Sequence, residues 1–311
     1  MPRIVTVLLA LTIDLTLGDP PNRFHPVVLM GHWLTAGRHL APLQKRFWFG
    51  AGWITAGIAL FSIPFWKLEN RKLIYPLSFI LHPFLLKPVF AYRNLRRRVA
   101  EVGAALAAND LPKARQLASQ HLVSRETSQL NAGEVAGAAI ESLAENITDS
   151  LTAPLMYYTI GGLPAAWAYR LINTADAMWG YRTEEFEHLG KFPARLDDLT
   201  NWFPARLTAW LLIMAAYLSG EDSVRARQVM LVQHSQTASP NAGWTMSAMA
   251  GALGVTLSKR GVYDLTGGPT QPDATTIHRA LRIADMGVGL TVSVLITTRL
   301  IYMFIRHKKG Q

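Results

Sequence analysis

Residues 47–66 read FWFGAGWITAGIALFSIPFW, an apolar run without a charged side chain. A helix needs about 20 predominantly apolar residues to cross the hydrocarbon core of a bilayer, and this run has that length. A second run of similar length extends from Met286 to Ile305. Half of the 311 residues are hydrophobic, and the mean hydropathy is positive. The sequence therefore predicts an integral membrane protein.

Four further apolar runs are shorter or interrupted: Ile4–Leu17, Leu73–Tyr92, Leu151–Ile172 and Leu207–Leu218. The third contains Pro154, Gly161, Gly162 and Pro164, which predict a broken or re-entrant helix rather than a straight span. No convincing series of strands occurs. We therefore expect an all-α, polytopic membrane protein with about four to six membrane-embedded helices and long helical loops, forming a single domain over residues 1–311.

The charge distribution favours a lipid surface as a partner. The formal net charge is +10, and many Arg and Lys residues lie at the ends of the apolar runs. Basic flanks of this kind suit anionic headgroups. No basic face on a soluble fold is evident, so we expect no nucleic-acid partner. Because the chain has no cysteine, thiolate catalysis, disulfides and thiolate metal sites are excluded.

Acidic residues are concentrated beside the apolar runs, with 10 of the 21 lying between Glu134 and Asp198. Carboxylates at the edge of an apolar medium are costly to keep ionised, and oxygen ligands suit Mg²⁺. Glu141, Glu145 and Asp149 follow at intervals of four, which predicts one acidic stripe on a helix. The alternative for this stripe is a solvated helix face.

Two pairs of Asn and Asp three residues apart bracket the third run: Asn146 with Asp149, and Asn173 with Asp176. Each pair presents an amide oxygen and a carboxylate on adjacent helical turns, a combination that suits Mg²⁺. Helix capping is the alternative for such pairs, because Asn and Asp are both favoured N-cap residues.

The densest polar segment, residues 195–206, contains Arg195, Asp197, Asp198 and Arg206. Arginine binds carboxylate or phosphate through two parallel hydrogen bonds, so the segment predicts either a catalytic site or a structural Arg–Asp network. His25 follows the loop Gly18-Asp19-Pro20 and is a candidate ligand, proton carrier or interfacial side chain. No Walker, G-x-S-x-G or H-E-x-x-H motif occurs.

The order of these motifs, from about Leu8 to Gly268, resembles that of the CobD/CbiB family of adenosylcobinamide-phosphate synthases. The matching segments are Gly18-Asp19-Pro20 with His25-Pro26-Val27, Arg125-Glu-Thr-Ser-Gln-Leu130, Glu141…Ala144-Glu145-Asn146…Asp149…Ala153-Pro154-Leu155, Asn173-Thr-Ala-Asp176-Ala-Met178…Gly180-Tyr181, Ala194-Arg195-Leu-Asp197-Asp198…Pro204-Ala-Arg206-Leu207 and Ser239-Pro240-Asn241-Ala242.

The resemblance implies an ATP-dependent ligase of cobalamin biosynthesis, multi-pass in the cytoplasmic (inner) membrane. Its substrates would be adenosylcobyric acid and (R)-1-aminopropan-2-ol or its O-phosphate, with Mg²⁺ accompanying ATP, and a homo-oligomer is compatible with it. On this basis we expect three groups of site residues. They are Glu145, Asp176, His25 and Arg195 for catalysis; Arg125, Asn173, Arg206, Ser239 and Asn241 for substrate or phosphate; and Glu141, Asp149, Asp197 and Asp198 for metal.

Two other classes of protein stay open at this point. A Mg²⁺-dependent membrane prenyltransferase also places Asn and Asp at helical spacing, although its longer Asp-rich motifs are absent here. A membrane sensor or transporter without catalytic activity is the other alternative, and the intact acidic motifs argue against it.

Overall fold

A computed structural model describes residues 2–21, 23, 25–70 and 75–309, and most of these residues are helical. The helices in chain order are α1 (Pro2–Thr16), α2 (Pro26–Leu40), α3 (Arg46–Asn70), α4 (Tyr75–Leu86), α5 (Tyr92–Ala107), α6 (Leu111–His121), α7 (Ala132–Ile147), α8 (Ala153–Trp179), α9 (Lys191–Leu218), α10 (Ser223–Gln233), α11 (Ala242–Leu253) and α12 (Ala274–Lys309). A 3₁₀ turn, Lys87–Val89, follows α4, and a π-helical turn, Thr148–Thr152, follows α7.

The expected all-α class is confirmed, since the described strands form only one small hairpin. Strands β1 (Thr256–Lys259) and β2 (Tyr263–Thr266) pair antiparallel, with Lys259 opposite Tyr263. The turn between them contains Gly261, whose φ of 71° favours glycine. Four-residue strands leave little hydrophobic alternation in the sequence, which explains why the hairpin was not predicted.

The chain divides into two compact units. The first comprises Met1–Ala91, Ala153–Asn201 and Leu295–Gln311; the second comprises Tyr92–Thr152 and Trp202–Val294.

Two described helices are long and apolar enough to cross a membrane: α3 over Arg46–Glu69 and α12 over Ala274–Lys308. They contain the two uninterrupted apolar runs of the sequence. The expectation of four to six membrane-embedded helices is not confirmed, because the other runs form shorter, broken or more polar helices.

The predicted break in the third apolar run is confirmed within α8. Gly162 has φ 72° and ψ −161°, a conformation outside the helical region and open mainly to glycine. A Cβ atom at this position would lie 2.1 Å from Oε1 of Glu69. Glycine therefore meets two requirements here, since it allows the backbone conformation and leaves room for a neighbouring carboxylate.

Charged side chains cap both helix ends at this break. Arg3 donates from Nη1 to the carbonyl oxygens of Thr159 (3.1 Å) and Ile160 (2.9 Å), which end the first half of α8. Glu69 accepts from the backbone N–H of Leu163 (2.8 Å), which begins the second half. Arg3 and Glu69 also pair with each other at 3.3 Å. The groups that a helix end leaves unsatisfied thus find partners within the first unit.

An aromatic cluster holds the C-terminal half of α8 in the first unit. Trp179 is almost fully buried and packs with Leu34 of α2 and Ile54 of α3. Trp33 and Trp53 stack beside them, with ring centroids 4.3 Å apart. This packing anchors the helical turns that contain Asn173 and Asp176.

Candidate functional site

A cavity of about 150 Å³ lies in the second unit between the chain after α6, helix α7 and the β-hairpin. We call it the Arg125–Glu141 pocket. It is lined by Leu122, Val123, Ser124, Arg125, Glu141, Ser142, Glu145, Lys259 and Tyr263. Two cationic side chains and two carboxylates therefore face one small space.

Helix α7 forms one wall of this pocket, and residues close to it in sequence fix where it begins. Asn131 and Glu134 form a capping box that begins α7, with each side chain accepting from the other residue's backbone N–H. The Ser142 hydroxyl donates to the carbonyl oxygen of Leu122 at 3.0 Å, which ties the chain after α6 to α7. This contact places Arg125 beside α7.

The hairpin wall is attached to the same helix. Arg260, in the hairpin turn, forms an ion pair with Glu134. Because Lys259 and Tyr263 are opposite each other in the antiparallel register, their side chains lie on the same face of the hairpin. Neither residue was among the predicted site residues, since nothing in the sequence shows which helix the hairpin packs on.

Glu141 is the buried acid of the pocket, with 5 % of its surface exposed. Its Oε2 accepts a hydrogen bond from Nη2 of Arg125 at 3.0 Å. Burial raises the pKa of Glu141 to about 7, against the opposing effect of the Arg125 charge. Burial and the charge of Glu141 raise the pKa of Tyr263 as well. Glu141 therefore exchanges a proton near neutral pH.

The first two members of the predicted acidic stripe lie on α7, and the third lies beyond the end of that helix. Glu141 and Glu145 both line the pocket, although Glu145 is exposed. Helix α7 ends at Ile147, and Asp149 belongs to the π-helical turn that follows. A π turn has a longer hydrogen-bond period than an α-helix, and Asp149 is not among the residues that line the pocket.

A second acidic cluster lies in the first unit, where Asp176 of α8 and Asp198 of α9 interact electrostatically. We call it the Asp176–Asp198 pair. Burial and the charge of Asp198 raise the pKa of Asp176 to about 6, and burial also raises the pKa of Asp198. Gly180 makes room for the carboxylate of Asp176, since a Cβ at Gly180 would lie 2.2 Å from Oδ1 of Asp176.

Asp197 differs from its neighbour in being almost fully buried, with 8 % exposed. It accepts hydrogen bonds from Nδ2 of Asn201 at 3.0 Å and from Nδ2 of Asn173 at 3.4 Å. The structure thus brings Asn173 and Asp197 together, as two of the predicted site residues. Arg195, on the same helix, is exposed.

His25 lies in a third charged group of the first unit, centred on Lys87. The Nζ of Lys87 lies 2.9 Å from Oδ1 of Asp14 and 2.6 Å from Oδ1 of Asp19, and it donates to the carbonyl oxygen of Phe90 at 3.2 Å. The contacts with Asp19 and Phe90 are hydrogen bonds, and the contact with Asp14 is an ion pair. Lys87 is therefore the cation beside Asp19.

The His25 ring is oriented by the start of α2. Its Nδ1 accepts from the backbone N–H of Val27 at 3.3 Å, so the proton of the neutral ring belongs on Nε2, which lies 3.8 Å from Oδ1 of Asp19. Although burial opposes ionisation, hydrogen bonds from His25 and Lys87 lower the pKa of Asp19 to about 2. Lys87 was not predicted as a site residue, although a lysine within an apolar run is a recognisable signal.

The remaining predicted residues lie in the second unit. Arg206 donates from Nη1 to Oδ1 of Asn241 at 3.3 Å, and the Asn241 backbone N–H donates to Oγ of Ser239 at 3.2 Å. Among the described residues, no group of three or more His, Asp or Glu side chains is arranged to hold a metal ion.

Comparison with known proteins identifies the family to which this chain belongs. A family model described as CobD/Cbib protein matches residues 7–290. The chain belongs to the CobD/CbiB family. It is 42 % identical over 265 residues to a probable cobalamin biosynthesis protein CobD of Methanothermobacter thermautotrophicus, covering 85 % of this chain and 87 % of the relative.

Other relatives of the family show similar coverage. A cobalamin biosynthesis protein CobD of Dehalococcoides mccartyi is 38 % identical over 85 % of this chain and 87 % of its own length. A probable CobD protein of Pyrococcus abyssi is 36 % identical over 95 % of this chain and 96 % of its own. No solved structure matches the chain. All three charged clusters lie within the segment matched by the CobD/CbiB model.

Proposed function

We propose that this CobD/CbiB protein acts in cobalamin biosynthesis as an ATP-dependent amide ligase of the cytoplasmic membrane. It would join a carboxylate of adenosylcobyric acid to (R)-1-aminopropan-2-ol or to its O-phosphate. Family membership supports the pathway. The observation that supports the chemistry is the Arg125–Glu141 pocket, which combines two cations with two carboxylates in about 150 Å³.

The pocket suits the amine substrate rather than the corrinoid. Its volume is below the several hundred Å³ typical of sites for larger ligands, so a corrin ring cannot enter it. An amino alcohol phosphate has an ammonium at one end and a phosphate at the other. Arg125 and Lys259 match the phosphate, and Glu141 and Glu145 match the ammonium. The O-phosphate therefore fits this lining better than the free amino alcohol.

Glu141 is our candidate for the base that prepares the amine. An alkylammonium group must lose a proton before its nitrogen can attack a carboxyl carbon. A base is most effective when its pKa lies near the working pH, and burial raises the pKa of Glu141 to about 7. The exposed Glu145 would hold the ammonium beside it.

The acid substrate also needs activation, because a carboxylate does not react with amines. ATP, bound with Mg²⁺, would supply the phosphoryl group that activates it. Mg²⁺ commonly binds one or two protein carboxylates together with substrate phosphates and water, and the half-buried Asp176–Asp198 pair fits that requirement. Its two carboxylates repel each other, so a cation between them would favour the ionised form of both.

The test is an assay of purified protein with ATP, Mg²⁺, adenosylcobyric acid and each amine in turn, followed by mass spectrometry of the corrinoid product. We expect amide formation, and faster formation with the O-phosphate. Glu141→Gln should reduce the rate at least about 100-fold, a typical contribution of one acid–base group.

A matched control for this assay is Glu101→Gln, which neutralises a glutamate paired with Arg98 on α5. It should leave the rate unchanged. Absence of amide with both amines would refute the ligase proposal. Retention of most of the activity by Glu141→Gln would remove this residue as the base while leaving the ligase assignment intact.

A further inference from the structure

Arg206 is held between two tryptophan rings in the second unit. Its Cζ lies 4.3 Å from the ring centroid of Trp202 and 4.7 Å from that of Trp244. We call these three residues the tryptophan clamp. Cation–π contacts of this kind fix the plane of a guanidinium and cover its faces with apolar surface.

Hydrogen bonds fix the remaining freedom of the guanidinium. Its Nη1 donates to the carbonyl oxygen of Trp202 at 2.6 Å and to Oδ1 of Asn241 at 3.3 Å. Asn241 is itself buried, with 6 % exposed, and its backbone N–H is bonded to Ser239. The side chain of Arg206 is thus immobilised through one of its three nitrogens.

Within the described part of the chain, the opposite edge of the guanidinium has no partner. Among the described residues, none accepts a hydrogen bond from Nε or Nη2 of Arg206, and no carboxylate forms an ion pair with it. The Nε/Nη2 edge is the part of arginine that binds an oxyanion through two parallel hydrogen bonds. An immobilised arginine whose Nε/Nη2 edge has no partner among the described residues can receive an oxyanion from solvent without first breaking an ion pair.

A histidine packs against the tryptophan clamp. His234 stacks on Trp244 with ring centroids 4.0 Å apart. Burial and the charge of Arg206 lower the pKa of His234, so its ring is neutral near pH 7. The clamp therefore presents a single guanidinium edge beside aromatic rings, one of which, Trp202, is 54 % exposed.

We propose that the tryptophan clamp binds a phosphate group through the Nε/Nη2 edge of Arg206. A nucleotide supplies such a phosphate together with a planar base that can stack on the exposed Trp202. This choice of nucleotide rests on the proposed function, whereas the site itself rests on the geometry. A phospholipid headgroup offers the same phosphate chemistry, since exposed Trp and Phe side chains on α9 also suit a membrane interface.

Binding to the purified full chain tests the proposal, with ADP and adenosine as one pair of probes. A second arm compares nanodiscs of phosphatidylglycerol with nanodiscs of phosphatidylcholine. The variant is Arg206→Lys, which keeps the charge and loses the planar fork. The matched control is Arg227→Lys, because Arg227 also lies over a tryptophan, Trp210, but is exposed and at 6.0 Å.

We expect Arg206→Lys to weaken ADP binding at least about tenfold, with adenosine and the Arg227→Lys control unaffected. Selective loss of phosphatidylglycerol binding instead would keep the phosphate site and assign it to lipid. If Arg206→Lys binds ADP and phosphatidylglycerol nanodiscs as tightly as the unmodified chain does, the proposal is overturned. If Arg206→Lys fails to fold, Trp202→Leu replaces it, because its exposed ring can be removed and its loss should weaken ADP binding severalfold.

The ligase assay is run on the same preparations, so that the two proposals fail separately. Binding of ADP that depends on Arg206, without any amide product, would refute the ligase and leave the phosphate site. Amide formation together with unchanged binding by Arg206→Lys would refute the phosphate site alone.

Discussion

Glu141 and Glu145 are one helical turn apart on α7, yet their surroundings differ. Glu141 is buried beside Arg125, and Glu145 is exposed at the mouth of the same pocket. Their spacing shows that they share a helix face and does not show where that face meets the next element. Burial is what raises the pKa of Glu141.

The raised pKa of Glu141 predicts a pH dependence of stability. Because the pKa is about 7 in the folded chain and 4.5 ordinarily, the folded chain binds more protons between these values. The free energy of unfolding should therefore fall as pH rises through about 4.5 to 7. The full effect is at most about 3–4 kcal/mol, since one pKa unit corresponds to about 1.4 kcal/mol.

The measurement is the free energy of unfolding in detergent at several pH values, for the unmodified chain and for Glu141→Gln. The variant cannot ionise, so the difference between the two should grow through this window and level off above it. A difference that is constant with pH would contradict a raised pKa.

Lys87 supports a second residue-scale prediction. Lys87→Met removes the ammonium that forms ion pairs with the buried Asp14 and the half-buried Asp19. Breaking a buried ion pair costs about 3–5 kcal/mol, so the variant should unfold far more readily in detergent. Lys67→Met, at an exposed lysine of α3, is the control and should change little. Equal stability of the two variants would show that the Lys87 contacts are weak.

At the scale of elements, the decisive feature is the break in α8. The two prolines and two glycines of the run predict that the helix is interrupted, and the interruption occurs at Gly162. Which of the four residues breaks the helix depends on Glu69 and Arg3, which cap the two ends from distant parts of the chain. Sequence spacing within the run contains no information on those partners.

Gly162→Ala should lower the free energy of unfolding by about 1–3 kcal/mol for the strained backbone, and by more once the collision of the new Cβ is included. The backbone conformation is unfavourable for alanine, and the added Cβ would collide with the Glu69 carboxylate. The control is Gly52→Ala in α3, where a Cβ meets nothing within 4 Å and helix propensity favours alanine. Thermal unfolding of both variants in detergent checks this, and a stable Gly162→Ala would argue against the capped break.

At the scale of the whole molecule, two of the described helices meet the length and composition requirements of a membrane span, and both have exposed apolar side chains. On α3, Leu60 is 53 % exposed. Leu60→Asp should weaken membrane integration by about 3 kcal/mol, the cost of an aspartate at a span centre. Resistance of the chain to alkaline extraction from membranes measures this. Leu43→Asp, at a 93 % exposed position outside the helices, should extract like the unmodified chain; equal extraction of both variants would place α3 outside the bilayer.

Much of the fold was predictable, because long apolar runs and helical spacing are local properties. The helical class, the two longest apolar helices and the broken third run all follow from residues that are near one another in sequence. The hairpin was not predictable, since its strands are four residues long and their contact with α7 is made over more than a hundred positions.

Only part of the candidate site was predictable: Arg125, Glu141 and Glu145 were expected as site residues, whereas their arrangement and the other lining residues were not. Composition and motif order by themselves predicted a helical, basic chain with carboxylates at helical spacing, and they carried the resemblance to the CobD/CbiB family. Only the tertiary structure decided that Glu141 is buried beside Arg125, that Lys87 is the cation of Asp19, and that Lys259 and Tyr263 complete the pocket. The physical reason is that desolvation and ion pairing depend on which distant side chains meet. The sequence spacing of residues within one helix does not specify those partners.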